Sequence, residues 1–290
     1  MDWLTEPFEP AFMRQAFAAA MLAVVVCSLV GTWVVLRGLA FIGDALAHGV
    51  IPGVALAQLW GLSLVLGAVV SALAMAGGVT LVNRRTRVGD DAAIGLLFVG
   101  MLALGVMIVS ASSSRDLTSL LFGSILGVTS ADVWLLVGAT IVVLVVITLF
   151  HRPLLALAFN PDKSASLGMH PGFSHALLMV LVTVAVVSSF QAVGTLMVFG
   201  LIVAPPATAT LFARRVPTVM VGAVAVGWVA AVGGLLLSYH LGTAAGASIA
   251  GLSVALFFIT LTVREVGSSL RRRRSDAVRD TSRTPVAVEA

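Results

Sequence analysis

Apolar residues in this chain do not fall into short amphipathic stripes. They run almost unbroken for about 20 residues, give way to a brief polar gap, and start again, nearly to the C-terminus. A helix rises 1.5 Å per residue, so runs of that length match the bilayer's hydrocarbon core of about 30 Å. Segments at 12 to 36, 39 to 60, 62 to 82, 92 to 110, 131 to 150, 174 to 191, 193 to 213, 218 to 239 and 242 to 263 predict about nine transmembrane helices. The expected fold class is an all-α polytopic membrane protein. One membrane domain, 12–264, is expected between an extracytoplasmic N-terminus, 1–11, and a basic, disordered cytoplasmic tail, 265–290. The stretch Ser119 to Val128 is too short to cross and predicts a partial helix near the outer face.

Two spans contain helix breakers. The second carries Gly43, Gly49, Pro52 and Gly53, which allow close helix approach and a local break in backbone bonding. The seventh contains Pro205 and Pro206, with Thr208 and Thr210 placed to satisfy freed carbonyls; a hinge, a pathway wall or a static kink are all open. Between the fifth and sixth spans lies the loop 151–173. Within it Asn160 suits a cap, Pro161 the first helical position and Gly168 a stop, giving a helix of about two turns with small residues Ala165 and Ser166. That element is read either as a docking point for a soluble partner or as a simple loop helix.

Composition removes whole classes of function. Charged residues make up 10% of the chain and hydrophobic residues 59%, with a mean hydropathy of +1.09, against about 25% charged in soluble domains. A water-soluble enzyme is excluded. The net charge of +4 comes from residues in the gaps and the tail without interleaved aromatics, which favours a membrane over nucleic acid. Arg37, Arg84, Arg85, Arg87, Arg152, Lys163, Arg214, Arg215 and Arg264 occupy alternate gaps, while the opposite gaps hold only Arg14 and Arg115. By the positive-inside rule the N-terminus lies outside, the C-terminus is cytoplasmic, and the loops 83–91 and 151–173 face the cytoplasm. Acidic Asp2, Glu6 and Glu9 ahead of the first run argue for a retained span rather than a cleaved signal. The tail's Arg271 to Arg274 read as a topology anchor on anionic lipid. The lone Cys27 leaves no intrachain disulfide and no thiol pair.

Of thirteen carboxylates, only Asp44 falls inside a span. A central Asp costs about 2.5 to 3.5 kcal/mol on insertion scales, so it is expected to face protein or a polar pathway. His48 follows four residues later, on the same helical face, where oxygen and nitrogen can converge on one cation. A buried hydrogen bond that only fixes packing is the competing reading. His151, His170 and His175 are expected as solvated loop histidines, and His240 as an interfacial residue that could meet an ion at the outer mouth.

At these residues the sequence resembles the permease subunits of ABC importers for zinc, manganese and related divalent ions. The stretches that carry the resemblance are VVLRGLAFIGDALAHGVIPGVALA (34–57), DDAAIGLLFVGMLALGV (90–106), LLFGSILGV (120–128), AFNPDKSASLGM (158–169), VGTLMVFGLIVAPPATA (193–209) and LLSYHLGTAAGASI (236–249). The resemblance implies a homodimer in the cell membrane, served by an extracytoplasmic metal-binding protein and driven by two copies of a separate ATPase. It implies that Asp44 and His48 form the intramembrane metal site, with Ala47 where the family usually has Ser. It also implies that the loop with Asn160, Asp162, Ala165, Leu167 and Gly168 is the helix that couples to the ATPase. The cargo is expected to be manganese or zinc, with iron a further candidate, and no cofactor is expected to be permanently bound. No Walker A pattern occurs, so ATP is expected only on the partner subunit. A secondary transporter driven by an ion gradient is the main alternative, though a lone intramembrane carboxylate fits it poorly. An intramembrane enzyme lacks both HExxH and a plausible nucleophile, base and acid.

Overall fold

The structure, a computed structural model of the single chain, describes residues 11–86, 89–111, 128–159 and 171–281. Among these, eleven helices follow one another: α1 Ala11–Leu36, α2 Ala40–Gly49, α3 Ile51–Leu59, α4 Leu64–Arg85, α5 Asp90–Ala111, α6 Ser130–Leu149, α7 His151–Phe159, α8 Pro171–Val193, α9 Thr195–Thr210, α10 Val216–Leu241 and α11 Ala245–Thr281. All nine predicted segments are helical. Eight are long and apolar enough to cross a membrane, counting α2 with α3 as one. The seventh, α9, has 16 residues and spans only about 24 Å.

Local chemistry explains several boundaries. Ser63 caps α4 by accepting from the Leu66 N–H at 3.2 Å. Thr129 and Asp132 form a reciprocal capping box at the start of α6. Gly38 closes α1 with a positive φ of 71°. There the Leu39 N–H donates to the Val34 carbonyl and the Gly38 N–H to the Val35 carbonyl, both at 3.0 Å, a Schellman stop that turns the chain directly into α2.

The second span is broken as Pro52 and its glycines predict. Pro52 near the start of α3 has no N–H to offer, and the helix is interrupted at Val50. The Ser71 hydroxyl of α4 donates to the carbonyl of Gly49, the last residue of α2, at 2.6 Å, supplying a partner at the break.

α1 is the central post, packed against α6, α8, α9 and α10, while α2 to α5 form one flank and α9 to α11 the other. Its buried face is built from small residues, Ala16, Ala19, Ala20 and Ala23, with Val24, Val30 and Trp33, as suits helices that associate by close van der Waals packing rather than by expulsion of water. Cys27 is fully buried there, its Sγ 3.6 Å from the Ser189 hydroxyl.

Some expectations need correction. Thr208 and Thr210 donate to the carbonyls of Ala204 and Ala207, at 2.8 and 2.7 Å. The carbonyls deprived of donors by Pro205 and Pro206 are those of Leu201 and Ile202, four residues earlier. A Cβ at Gly31 would fall on that Ile202 oxygen, so the freed carbonyl is accommodated by a missing side chain, not by a threonine. α11 runs on to Thr281, into the tail read as disordered after Arg264; a helix already nucleated in the membrane extends at little cost through a segment whose commonest residue is Arg, a good helix former. His151 is the first residue of α7 and packs edge-on against Trp33, with ring centroids 5.5 Å apart, rather than standing in solvent.

Candidate functional site

The broken span sets the site. Phe41, Asp44, Ala45 and His48 recur on one face of α2 at helical spacing, and Asp91, Ile94, Gly95 and Phe98 do the same on α5. The two helices pack together. Between their faces lies a cleft of about 370 Å³ lined by Phe41, Asp44, Ala45, Asp91, Ile94, Gly95 and Phe98. One turn beyond Asp44, the His48 ring stands perpendicular to Phe98 at a centroid distance of 5.5 Å.

Asp44 and His48 meet as the four-residue spacing predicts. His48 Nδ1 is 3.2 Å from Asp44 Oδ1 and 3.0 Å from the Asp44 carbonyl. A backbone carbonyl can only accept, so Nδ1 carries the ring proton and donates. In the neutral ring the free lone pair is then on Nε2. The side chains of Asp44 and His48 are 31% and 23% exposed respectively, so the pair is not sealed inside the single chain. Among the described residues no cluster of three or more His, Cys, Asp or Glu side chains could hold a metal; one chain offers one oxygen and one nitrogen donor here.

The remaining candidates fall elsewhere. Gly49 and Gly53 face α4 of their own chain: a Cβ on Gly49 would strike the Met75 sulfur, and one on Gly53 the Gly67 carbonyl. Pro52 packs beside Gly105 of α5. Pro205 and Pro206 are buried inside the bundle, with Pro205 close to Gly227 of α10. His240 is exposed in the last turn of α10 with its ring against Tyr239, and is not brought to the cleft. Asn160, Asp162, Ala165, Leu167 and Gly168, with His170 and nearly all of 119–128, lie outside the described residues. Asp91 is the residue that sequence reasoning passed over. As a carboxylate at the start of a helix it reads as a helix-dipole partner, and only the pairing of α5 with α2 puts it in the cleft.

Residues 9–264 match the family described as the ABC 3 transport family. The chain belongs to that family. Relatives agree over nearly their whole length: it is 36% identical over 263 residues to the manganese import system permease protein ScaB of Streptococcus gordonii, covering 90% of this chain and 95% of that one. It is also 32% identical to a probable iron transport system membrane protein of Haemophilus influenzae, covering 91% and 98%. Among solved structures, PsaBC from Streptococcus pneumoniae in complex with Fab superposes with a TM-score of 0.80 at 34% identity, covering 89% of this chain and 94% of that one. As a member of the ABC 3 transport family, the protein is a multi-pass permease of the cell membrane, not an enzyme, and its ATPase is a separate subunit. The ion-gradient alternative is thereby set aside.

Proposed function

We propose that this permease imports a divalent transition-metal ion, manganese or iron in the first instance, and that Asp44 and His48 bind the ion transiently on its route. The observation that carries the reading is the pair itself: Asp44, a carboxylate within the second span that lines the cleft, with the His48 ring nitrogen 3.2 Å from it one turn further on. Manganese and iron are named for the relatives. An oxygen and a nitrogen donor suit both ions, and suit zinc as well.

A single Asp and His leave most of a coordination shell unfilled. Two copies of the chain would supply two oxygens and two nitrogens, so the working unit is a dimer whose α2 faces share the ion, completed by water or by both oxygens of each carboxylate. Incomplete ligation serves transport, because an ion held as tightly as a structural zinc would not leave. Read by the positive-inside rule, the arginines beside α4 and α5 support a cytoplasmic orientation for the cleft's Asp91 end. An extracytoplasmic binding protein delivers the ion, and a pair of ATPase subunits docks at the loop containing Asn160, Asp162, Ala165, Leu167 and Gly168.

The test is uptake of Mn²⁺ by vesicles holding the permease, its cognate ATPase and its binding protein, with Fe²⁺ and Zn²⁺ as competitors. Asp44→Asn and His48→Ala should each lower uptake by at least about tenfold, consistent with the loss of one charged or coordinating contact, while leaving the ATPase bound. Uptake at the wild-type rate in both variants would reduce the pair to a packing hydrogen bond.

A further inference from the structure

We propose that Arg37 is the link that carries motion of α7 to the helix bearing Asp44 and His48. The inference rests on the reading that the loop after α7 docks the ATPase. Arg37 Nη1 donates to the carbonyl of Leu157 at 2.8 Å. Leu157 lies in the last turn of α7, whose carbonyls have no partners within the helix and whose dipole favours a cation. A guanidinium bound there is a charge-assisted cap on the element that leads into 160–168.

The other end of Arg37 is fixed just as firmly. It is the residue after α1, its N–H donates to the Trp33 carbonyl at 3.1 Å, and the Schellman stop at Gly38 and Leu39 follows at once. α2 starts three residues later, at Ala40, with Asp44 in its second turn. One helical turn before Arg37, Trp33 holds the first residue of α7 by its ring contact with His151. α7 is therefore braced at both ends against the last turn of α1, and a displacement of α7 must act on the corner from which α2 departs. Among the described residues the buried Arg37 Nε–H has no acceptor. An unsatisfied buried donor favours any neighbouring arrangement in which it finds a carbonyl, as a joint between two positions of α7 requires.

Arg37 is thus a positioning residue, and its signature is the coupling ratio rather than assembly. The experiment uses vesicles containing permease, cognate ATPase and binding protein, and reads Mn²⁺ uptake and phosphate release together. Arg37→Met keeps the stem and removes the donor; Mn²⁺ carried per ATP should fall about tenfold, as for loss of one charge-assisted hydrogen bond, while ATPase content and hydrolysis stay within about twofold of wild type. Arg37→Lys, which keeps the charge without the planar fork, should lose only about threefold, and it remains informative if the Met variant fails to fold. A wild-type ratio of Mn²⁺ to ATP in the Lys and Met variants overturns the proposal, and so does a fall in hydrolysis that merely parallels uptake. Ala165→Trp, run beside them, tests the docking reading separately: normal assembly and transport in that variant would remove the docking loop whatever Arg37 does.

Discussion

Gly53→Ala adds a single methyl group where α3 meets α4, and the structure fixes what that methyl would meet. It would fall on the Gly67 carbonyl oxygen, with the Gly67 carbonyl carbon at 2.9 Å and the Ser71 Cβ at 2.5 Å. None of these is the end of a flexible side chain, so the two helices must part. Overpacking of this kind costs about 1 to 3 kcal/mol, and with backbone on the receiving side the upper end applies. Alanine regains about 1 kcal/mol of helix propensity over glycine, leaving a net loss of roughly 2 kcal/mol. Two substitutions calibrate that figure. At Gly49 the methyl meets the Met75 sulfur, a flexible tip that can turn away, so the cost and the propensity gain nearly cancel. At Gly138 nothing lies within 4 Å, so alanine should stabilise by up to about 1 kcal/mol. At about 2 to 4 °C per kcal/mol, thermal unfolding of the detergent-solubilised permease, followed by tryptophan fluorescence, should rank Gly138→Ala above wild type. Gly49→Ala should be close to wild type, and Gly53→Ala about 4 to 8 °C below it. A Gly53→Ala protein that melts together with Gly138→Ala would mean that α3 and α4 do not touch through their glycines.

Two further variants probe the cleft and the loop. Asp91→Asn removes one of the cleft's two carboxylates; with an attraction of about 1 kcal/mol for a partly hydrated charge, Mn²⁺ uptake at limiting metal should fall about fivefold with the ATPase still bound, and unchanged uptake would take Asp91 off the route. Ala165→Trp should obstruct a close-packed docking groove, so the ATPase should no longer co-purify although the permease still inserts in the membrane.

The sequence made the spans legible because the bilayer demands long apolar helices whatever their neighbours. Asp44 and His48 were legible for a related reason: four residues within one helix must share a face, so their contact is local. Other features depended on which helices become neighbours. Gly49 and Gly53 announce close approach, yet nothing in their spacing names Met75, Gly67 and Ser71 as the surfaces approached. Asp91 gains its place only because α5 lies along α2. Thr208 and Thr210 sit well to bond carbonyls, but a threonine in a helix reaches back three or four residues, and the carbonyls freed by Pro205 and Pro206 lie farther off. His151 looked solvated because its contact, Trp33, is more than a hundred residues away in the chain.

The seclusion of Cys27 has a practical side. It is the chain's only sulfhydryl, it has no exposed surface, and it lies between α1 and α8 beside Ser189. Maleimide and methanethiosulfonate reagents should pass it by, so the native permease is already a silent background for site-directed labelling. A spin label or fluorophore on a cysteine introduced at an exposed position, such as Phe41 beside the cleft or Thr86 between α4 and α5, would report movement of these helices during the ATP cycle without prior replacement of a core residue.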